Sequence, residues 1–346
     1  MGRIKNRLDI WIENIICPGR KITRDEIESY QWEKIKETVD WARSNSPFYK
    51  EKYEGYSLET REDFAKLPFI SAKDVQSKSR EMVCVGQNEI SRIVTLQTSG
   101  TTDLPKRIYF TPEDQGLTLS FFHEGMQLFV DKSDKVMILM PCKRPGSIGK
   151  LLETGIEEYG GKTISYGLPQ RDMKDGHRIL EIMEKEKVAF VVALPSHMAA
   201  LADMSKGRNI SLKGVLLSAE YVSFKNRQQI DQAWKCKIYE HYGMTEMGLG
   251  GAVSCGESSG YHLRENDLYV EIINPLTGKV VPDGEYGEVV FTTLTRRGMP
   301  FIRYKTGDKS RWLNGICPCG SILRRLDRIG DREEKGKKQS VINEKR

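Results

Sequence analysis

The chain of 346 residues contains no uninterrupted apolar run near the ~20 residues that a membrane-spanning helix requires. It also lacks the apolar core of a secretory signal, because charges interrupt the segment from Met1 to Arg20. Within that segment Ile4, Leu8, Trp11 and Ile15 share one face at helical spacing. The stripe is expected to pack on the protein's own body, with docking on a membrane surface as the alternative. Position 6 is not Ser or Thr, so Met1-Gly2 is no myristoylation signal. Blocks of like charge are missing too. Lys and Arg total 54 against 48 Asp and Glu, and the resulting +6 is spread along the chain. An even spread argues against nucleic acid as the main partner. Seven cysteines without a signal peptide point to a reducing, cytoplasmic setting. Clustered cysteines there read as metal ligands before disulfides. The sequence has no Walker A spacing, no repeat of solenoid period and no convincing Ser–His or Cys–His nucleophile pair.

What is present is an α/β pattern in a chain long enough for one large or two modest domains. Residues 1 to about 70 read as helices and loops, with a helix over Asp25–Ser44 and short ones over Asp63–Leu67 and Ser71–Val75. Strand–helix alternation begins near Val136. Strands are expected at Val136–Met140, Thr163–Tyr166, Ala189–Ala193, Gly214–Leu217 and Lys237–Glu240. Helices are expected between them at Ile148–Glu158, Gly176–Lys185, Ser196–Met204 and Phe224–Trp234. Short apolar runs alternating with helices imply right-handed βαβ units and a parallel sheet covered on both faces. After residue 250 the pattern becomes strands at Leu268–Ile273, Gly287–Thr293 and Lys309–Leu313, joined by turns. The expected organisation is therefore a helical segment with an α/β core over 1–250, an antiparallel β subdomain over 251–330 and a polar tail over 331–346.

Three stretches carry candidate chemistry. Thr98-Ser99-Gly100-Thr101-Thr102-Asp103-Leu104-Pro105-Lys106 follows the β-type run Ile93–Leu96. Small hydroxylic residues let N–H groups converge on an anion, and Lys106 adds a mobile charge; an exposed Ser/Thr turn is the alternative. Tyr239 to Gly248 lies just past the last parallel strand, where open α/β sheets bind ligands. There Tyr242 offers a flat face for a base, Gly243 permits close approach, and Thr245 and Glu246 can hold phosphate and Mg²⁺. A helix cap at Thr245 is the bland alternative. In Phe301 to Asp308, the Asp after a Gly turn can accept both hydroxyls of a ribose, or be an ordinary turn residue.

In this order the three stretches resemble the adenylate-forming, AMP-binding enzymes, and more closely the phenylacetate–coenzyme A ligase branch. Further matching segments are Ser46-Pro47-Phe48-Tyr49, Leu67-Pro68-Phe69, Ser218-Ala219-Glu220, Ile302-Arg303-Tyr304 and Cys317-Pro318-Cys319-Gly320. The resemblance spans roughly residues 46 to 330. It implies the large N-terminal domain of that superfamily, with Ser99, Gly100, Thr101, Thr102 and Lys106 around the β- and γ-phosphates of ATP. It implies Ala219, Glu220 and Tyr242 around adenine, Thr245 at the α-phosphate, Glu246 on Mg²⁺ and Asp308 on the ribose. The acyl pocket is expected between His197, Ala219 and Met244 to Gly248, floored by the parallel sheet. The implied reaction joins a small-molecule carboxylic acid to ATP as an acyl adenylate, which coenzyme A then captures. Alternatives are a non-catalytic nucleotide- or acyl-binding protein, and an adenylyl or acyl transferase to another acceptor. Oligomeric state is left open.

Two departures stand out. Asp103 occupies a place where relatives usually carry Gly, and a carboxylate beside phosphates repels them unless it turns away. The family's mobile C-terminal lid is not matched: Arg328 to Glu334 resembles the hinge entry, and a short polar tail follows. A separate lid protein, a truncated sequence and lost turnover are the three expectations this raises. Separately, Cys255, His262, Cys317 and Cys319 are three thiols and an imidazole that can close a structural zinc site, with free surface thiols as the alternative.

Overall fold

A computed structural model describes residues 6–96, 105–168, 173–257 and 260–330. Ser99, Gly100, Thr101, Thr102 and Asp103 lie outside the described residues, as do Ile4 and the 331–346 tail.

The helical first part comprises α1 (Arg7–Ile16), α2 (Arg24–Asn45), α3 (Pro47–Lys52), α4 (Arg61–Lys66) and α5 (Ala72–Lys78). Helix α2 starts where Thr23 and Glu26 cap each other reciprocally, satisfying two N–H groups that a helix start otherwise leaves open. Its inward face, Ile27, Ile35, Val39 and Ala42, is buried at helical spacing. On α1 the buried apolar residues are Leu8 and Ile12, with Asp9 and Glu13 buried beside them. Ile15 is 44% exposed, so the stripe turns away from the core one turn earlier than the sequence suggests. Strands β1 (Arg92–Leu96) and β2 (Lys106–Phe110) form an antiparallel pair flanking the phosphate-loop segment.

The α/β core runs through α6 (Pro112–Met126), β3 (Lys135–Ile138), α7 (Ile148–Glu158), β4 (Lys162–Ser165), α8 (Gly176–Lys185), β5 (Phe190–Ala193), α9 (Pro195–Met204), β6 (Gly214–Leu217), α10 (Phe224–Trp234) and β7 (Lys237–Tyr242). The expected alternation is present, with boundaries within two residues. Period-two side-chain direction divides these strands between two cores. Val136, Ile138, Phe190, Val192 and Leu216 pack under α1, α6 and α7. Met137, Leu139, Val191, Ala193, Val215 and Leu217 pack under α8, α9 and α10. A sheet buried on both faces explains why its strands read as unbroken apolar runs.

Beyond β7 come β8 (Ala252–Val253), β9 (Tyr261–Leu263), β10 (Leu268–Ile273), β11 (Gly287–Thr293), β12 (Tyr304–Ser310) and β13 (Arg325–Leu326). They divide between two sheets. β8, β9 and β13 extend the central sheet in the order β13-β9-β8-β7-β6-β5-β3-β4, while β10, β11 and β12 form an antiparallel sheet of their own. The latter shares a core with α2, α3 and the segment through Ile70. The strand expected at Lys309–Leu313 is displaced to Tyr304–Ser310. Gly307, read as a turn, has φ +76° inside β12, beside a register shift against β11 between Glu288 and Val290. A bulge of this kind takes a glycine in the left-handed region and keeps the strand paired on both sides. No helix among the described residues is long and apolar enough to cross a membrane.

Candidate active site

Parallel strands β5, β6 and β7 end at one sheet edge, and the segments that leave them carry the candidate residues. After β7, a single tight turn (Thr245–Met247) is closed by Gly248 at φ +71°, whose N–H donates to the Thr245 carbonyl at 2.9 Å. Leu249 N–H donates to the Met244 carbonyl at 2.9 Å. Gly243 is required here, since a Cβ would stand 2.5 Å from the Leu249 carbonyl oxygen. The turn is fastened from outside by Thr118, whose hydroxyl donates to Gly248 O at 2.7 Å, and by Arg296, which donates to Glu246 O at 2.9 Å.

This turn delivers the Glu246 carboxylate, 1% exposed, to Lys106 at the start of β2, and the two form an ion pair. Tyr304 at the start of β12 donates its hydroxyl to the same carboxylate at 3.1 Å. Four residues before Glu246, Tyr242 donates its hydroxyl to Asp308 at 3.0 Å. Lys106, Glu246, Tyr242 and Asp308 are thus drawn from β2, the post-β7 turn, β7 and β12 into one neighbourhood. The geometry pairs a cation with one buried carboxylate and a buried aromatic hydroxyl with another. Tyr304 and Arg296 belong to this group and were not singled out from sequence as site residues. Their signal lay in the Ile302-Arg303-Tyr304 segment and, for Arg296, in nothing local.

Ala219 and Glu220 follow β6 at the adjoining strand end. Ala219 sits at φ +68°, a left-handed conformation that a side-chain-bearing residue adopts at a cost. Glu220 accepts from Ser196 N–H at 3.2 Å, which ties this loop to the start of α9. His197 is the next residue on α9 and is 2% exposed.

A different pairing emerges one residue earlier on the same two strands. The register that sets Leu217 beside Glu240 sets Ser218 beside His241, and Ser218 Oγ lies 2.8 Å from His241 Nδ1. Sequence spacing does not disclose this Ser–His pair, because 23 residues separate the two. This pair is no nucleophile–base couple. Burial, with the positive charge of Arg264 adding to it, pushes the His241 pKa down from 6.5 to about 4, too weak a base for the task. The depressed value has a consequence for stability. The unfolded chain takes up a proton at this residue below about pH 6.5 while the folded chain does not. Stability is therefore expected to fall by up to about 3 kcal/mol as pH drops from about 6.5 to 4. Urea midpoints measured across that range should slope in the parent and lose that part of the slope in His241→Phe.

At the far edge of the sheet, Cys255 after β8, His262 in β9, and Cys317 and Cys319 before β13 place their ligand atoms within 4.8 Å of one another. Cys255 and Cys317 sulfurs are 3.6 Å apart, and Cys319 Sγ is 3.4 Å from His262 Nε2. Asn6 donates to Cys319 at 3.5 Å, and Asp9 accepts from Ile322 N–H at 3.0 Å, so α1 docks against the same knuckle. Elsewhere the buried Cys84 thiol is pushed up to about 12 and that of Cys236 to about 11, as expected for unreactive cysteines.

The AMP-binding enzyme family model matches residues 57–294. A phenylacetate-coenzyme A ligase from Pseudomonas putida is 27% identical over 336 residues, covering 92% of this chain and 74% of the relative. One from Escherichia coli K12 is 26% identical over 326 residues, covering 90% and 72%. The structure of 2-hydroxyisobutyryl-CoA ligase in complex with 2-HIB-AMP and CoA superposes with a TM-score of 0.81 at 24% identity, over 91% of this chain and 70% of that one. That likeness establishes the fold: the large α/β domain of adenylate-forming ligases with its added antiparallel strands.

Proposed function

The chain belongs to the AMP-binding enzyme family, and from that premise we propose that it activates a small carboxylic acid with ATP and passes the acyl group to coenzyme A. The observation that carries the reading is the linked pair of contacts, Lys106 to Glu246 and Tyr242 to Asp308, at one sheet edge. In the proposed reaction the acid's carboxylate oxygen attacks the α-phosphorus of ATP, the bond to the pyrophosphate oxygen breaks, and pyrophosphate leaves. The nucleophile belongs to the substrate, so the protein's work is to screen two approaching anions and the charge that grows on the leaving group.

Each residue then has a distinct role. Lys106 exchanges its partner, turning from Glu246 to the phosphates. Ser99, Gly100, Thr101 and Thr102 cradle the same phosphates, and Thr245 contacts the α-phosphate. Glu246, released by Lys106, would hold Mg²⁺ through a buried carboxylate oxygen, a donor that suits a hard cation, and the ion would supply charge neutralisation for the phosphates. Asp308, oriented by the Tyr242 hydroxyl, accepts from the ribose, and Ala219, Glu220 and Tyr242 enclose the base. His197, Met244 and Gly248 border the acid. ATP–pyrophosphate exchange with Mg²⁺ and a panel of aryl and acyl acids tests the first step. Mass spectrometry of products formed with coenzyme A tests the second. Tight ATP binding with no exchange for any acid would leave a nucleotide- or acyl-binding protein, and an adenylated product without a thioester would indicate another acceptor.

For the four-residue knuckle we propose structural Zn²⁺. Three sulfurs and one imidazole nitrogen within 4.8 Å fit a closed tetrahedral site, which leaves no coordination position for substrate. A reducing, cytoplasmic setting keeps such thiols available. Metal analysis of purified protein should find about one zinc per chain, and Cys319→Ser should lose it together with a lowered urea midpoint. Retention of zinc by that variant would count against the assignment.

A further inference from the structure

Two buried atoms of complementary kind are stranded around the four-residue knuckle. On α1 the Asp9 side chain is 4% exposed, and its Oδ1 accepts from Ile322 N–H at 3.0 Å. Asp9 Oδ2 is buried with no hydrogen-bond partner among the described residues. In β9, His262 is 1% exposed and turns Nε2 toward Cys319 Sγ at 3.4 Å. Its other nitrogen, Nδ1, is buried and equally unpartnered among the described residues. Buried polar atoms are nearly always paired, so an acceptor and a ring nitrogen left over together mark an unfinished contact. Burial raises the Asp9 pKa, while Ser321, the Ile322 N–H and the charge of His262 lower it, which places His262 within electrostatic reach. Asn6 adds a second link. It caps α1 by accepting from Leu8 N–H at 3.0 Å and donates its amide to Cys319 Sγ at 3.5 Å.

We propose that helix α1 completes the metal knuckle: Asp9 accepts the Nδ1–H of His262, directly or through one water, and Asn6 steadies the Cys319 thiolate. The inference rests on the zinc assignment above and adds two positioning residues and the helix that carries them. The ring's orientation decides which nitrogen is the ligand. Nε2 faces the sulfurs, and a neutral imidazole that binds through Nε2 carries its proton on Nδ1. A carboxylate that takes that proton's hydrogen bond fixes both tautomer and ring orientation. An N–H aimed at a metal-bound sulfur favours the charged thiolate in the same way. The consequence reaches beyond the ion. Helix α1 has 10 residues, too few to hold a helix in water unaided. Leu8 and Ile12 enter the core beside Phe121 and Phe122 of α6, and Arg7 pairs with Glu124 at 2.6 Å. The Asp9–His262 contact is a further fastening that tightens when the ion is bound, so zinc governs how firmly α1 is held.

The test measures zinc affinity by competition with a chromophoric chelator for the parent, Asp9→Ala and Asp9→Asn. Asp9→Ala should bind zinc about ten- to a hundredfold more weakly. Asp9→Asn, which keeps one acceptor oxygen, should recover part of that loss. Urea midpoints with and without zinc separate this role from a purely structural one. Loss of the Ile322 contact alone would lower both midpoints alike and leave zinc affinity unchanged, which would overturn the proposal. Hydrogen exchange of the parent serves should neither variant fold: amides of Arg7–Ile16 should exchange more slowly with zinc than after its removal. Equal exchange in the two states would overturn the proposal as well. A parent that binds no zinc would remove the metal assignment and this inference together, whereas a parent that binds zinc no more tightly than Asp9→Ala would remove this inference alone.

Discussion

Glu246→Gln is expected to lower the rate of ATP–pyrophosphate exchange by about 10²–10³-fold, the usual effect of losing one group that stabilises developing charge, because the proposed carboxylate ligand of Mg²⁺ is removed. The substitution keeps the side chain's shape and a hydrogen-bonding oxygen for Tyr304, and it removes the negative charge that pairs with Lys106. Two effects follow, and they separate experimentally. Without its carboxylate partner Lys106 is free toward the phosphates, so ATP binding measured without Mg²⁺ should be retained or tightened. The Mg²⁺ dependence of exchange should weaken. A variant that loses ATP binding and Mg²⁺-dependent exchange in equal measure would instead identify Glu246 as a scaffold for the turn.

The largest expected loss of stability is at Arg303→Leu, about 3–5 kcal/mol, because the change strands a buried carboxylate. Arg303 is 1% exposed and grips Glu271 on β10 with Nε at 3.1 Å and Nη2 at 2.9 Å. Burial pushes the Glu271 pKa up, and the Arg303 charge opposes that push. The same guanidinium donates to Leu67 O at 2.7 Å and covers the Phe69 ring at 4.2 Å, fastening the Leu67-Pro68-Phe69 segment to the sheet. It lies next to Tyr304, which reaches Glu246, so misplacement here also disturbs the site. Urea unfolding of Arg303→Leu and of the double variant Arg303→Leu/Glu271→Leu checks the cause. Removing the abandoned carboxylate should restore a large part of the loss, since an apolar pair of similar volume substitutes well for a buried ion pair.

Much of the fold was legible because its determinants are local. The apolar runs Phe190–Ala193 and Gly214–Leu217 declare buried parallel strands, and the apolar spacing over Asp25–Ser44 declares helix α2. Strands β8, β9 and β13 escaped notice because two or three residues cannot show a period. The bulge at Gly307 read as a turn because a left-handed glycine serves both, and only the pairing of β12 with β11 tells them apart. In the candidate site, the motif residues were visible as residue types, whereas the Ser218–His241 contact was not. It follows from the in-register pairing of β6 with β7, which no local pattern encodes.

By itself the sequence determined the strand–helix alternation, the helix caps, the glycines that turn the chain after β7 and the membership of its motifs in a family. Those properties depend on residues within a few positions of one another, where period, capping and backbone freedom act directly. Tertiary structure decided which of these residues meet. Lys106 finds Glu246 across 140 positions, Tyr242 finds Asp308 across 66, and Cys319 finds His262 across 57. The strand order around β7, the separate sheet carrying β12 and the bulge that aims Asp308 set those meetings, and each is a property of the packed whole.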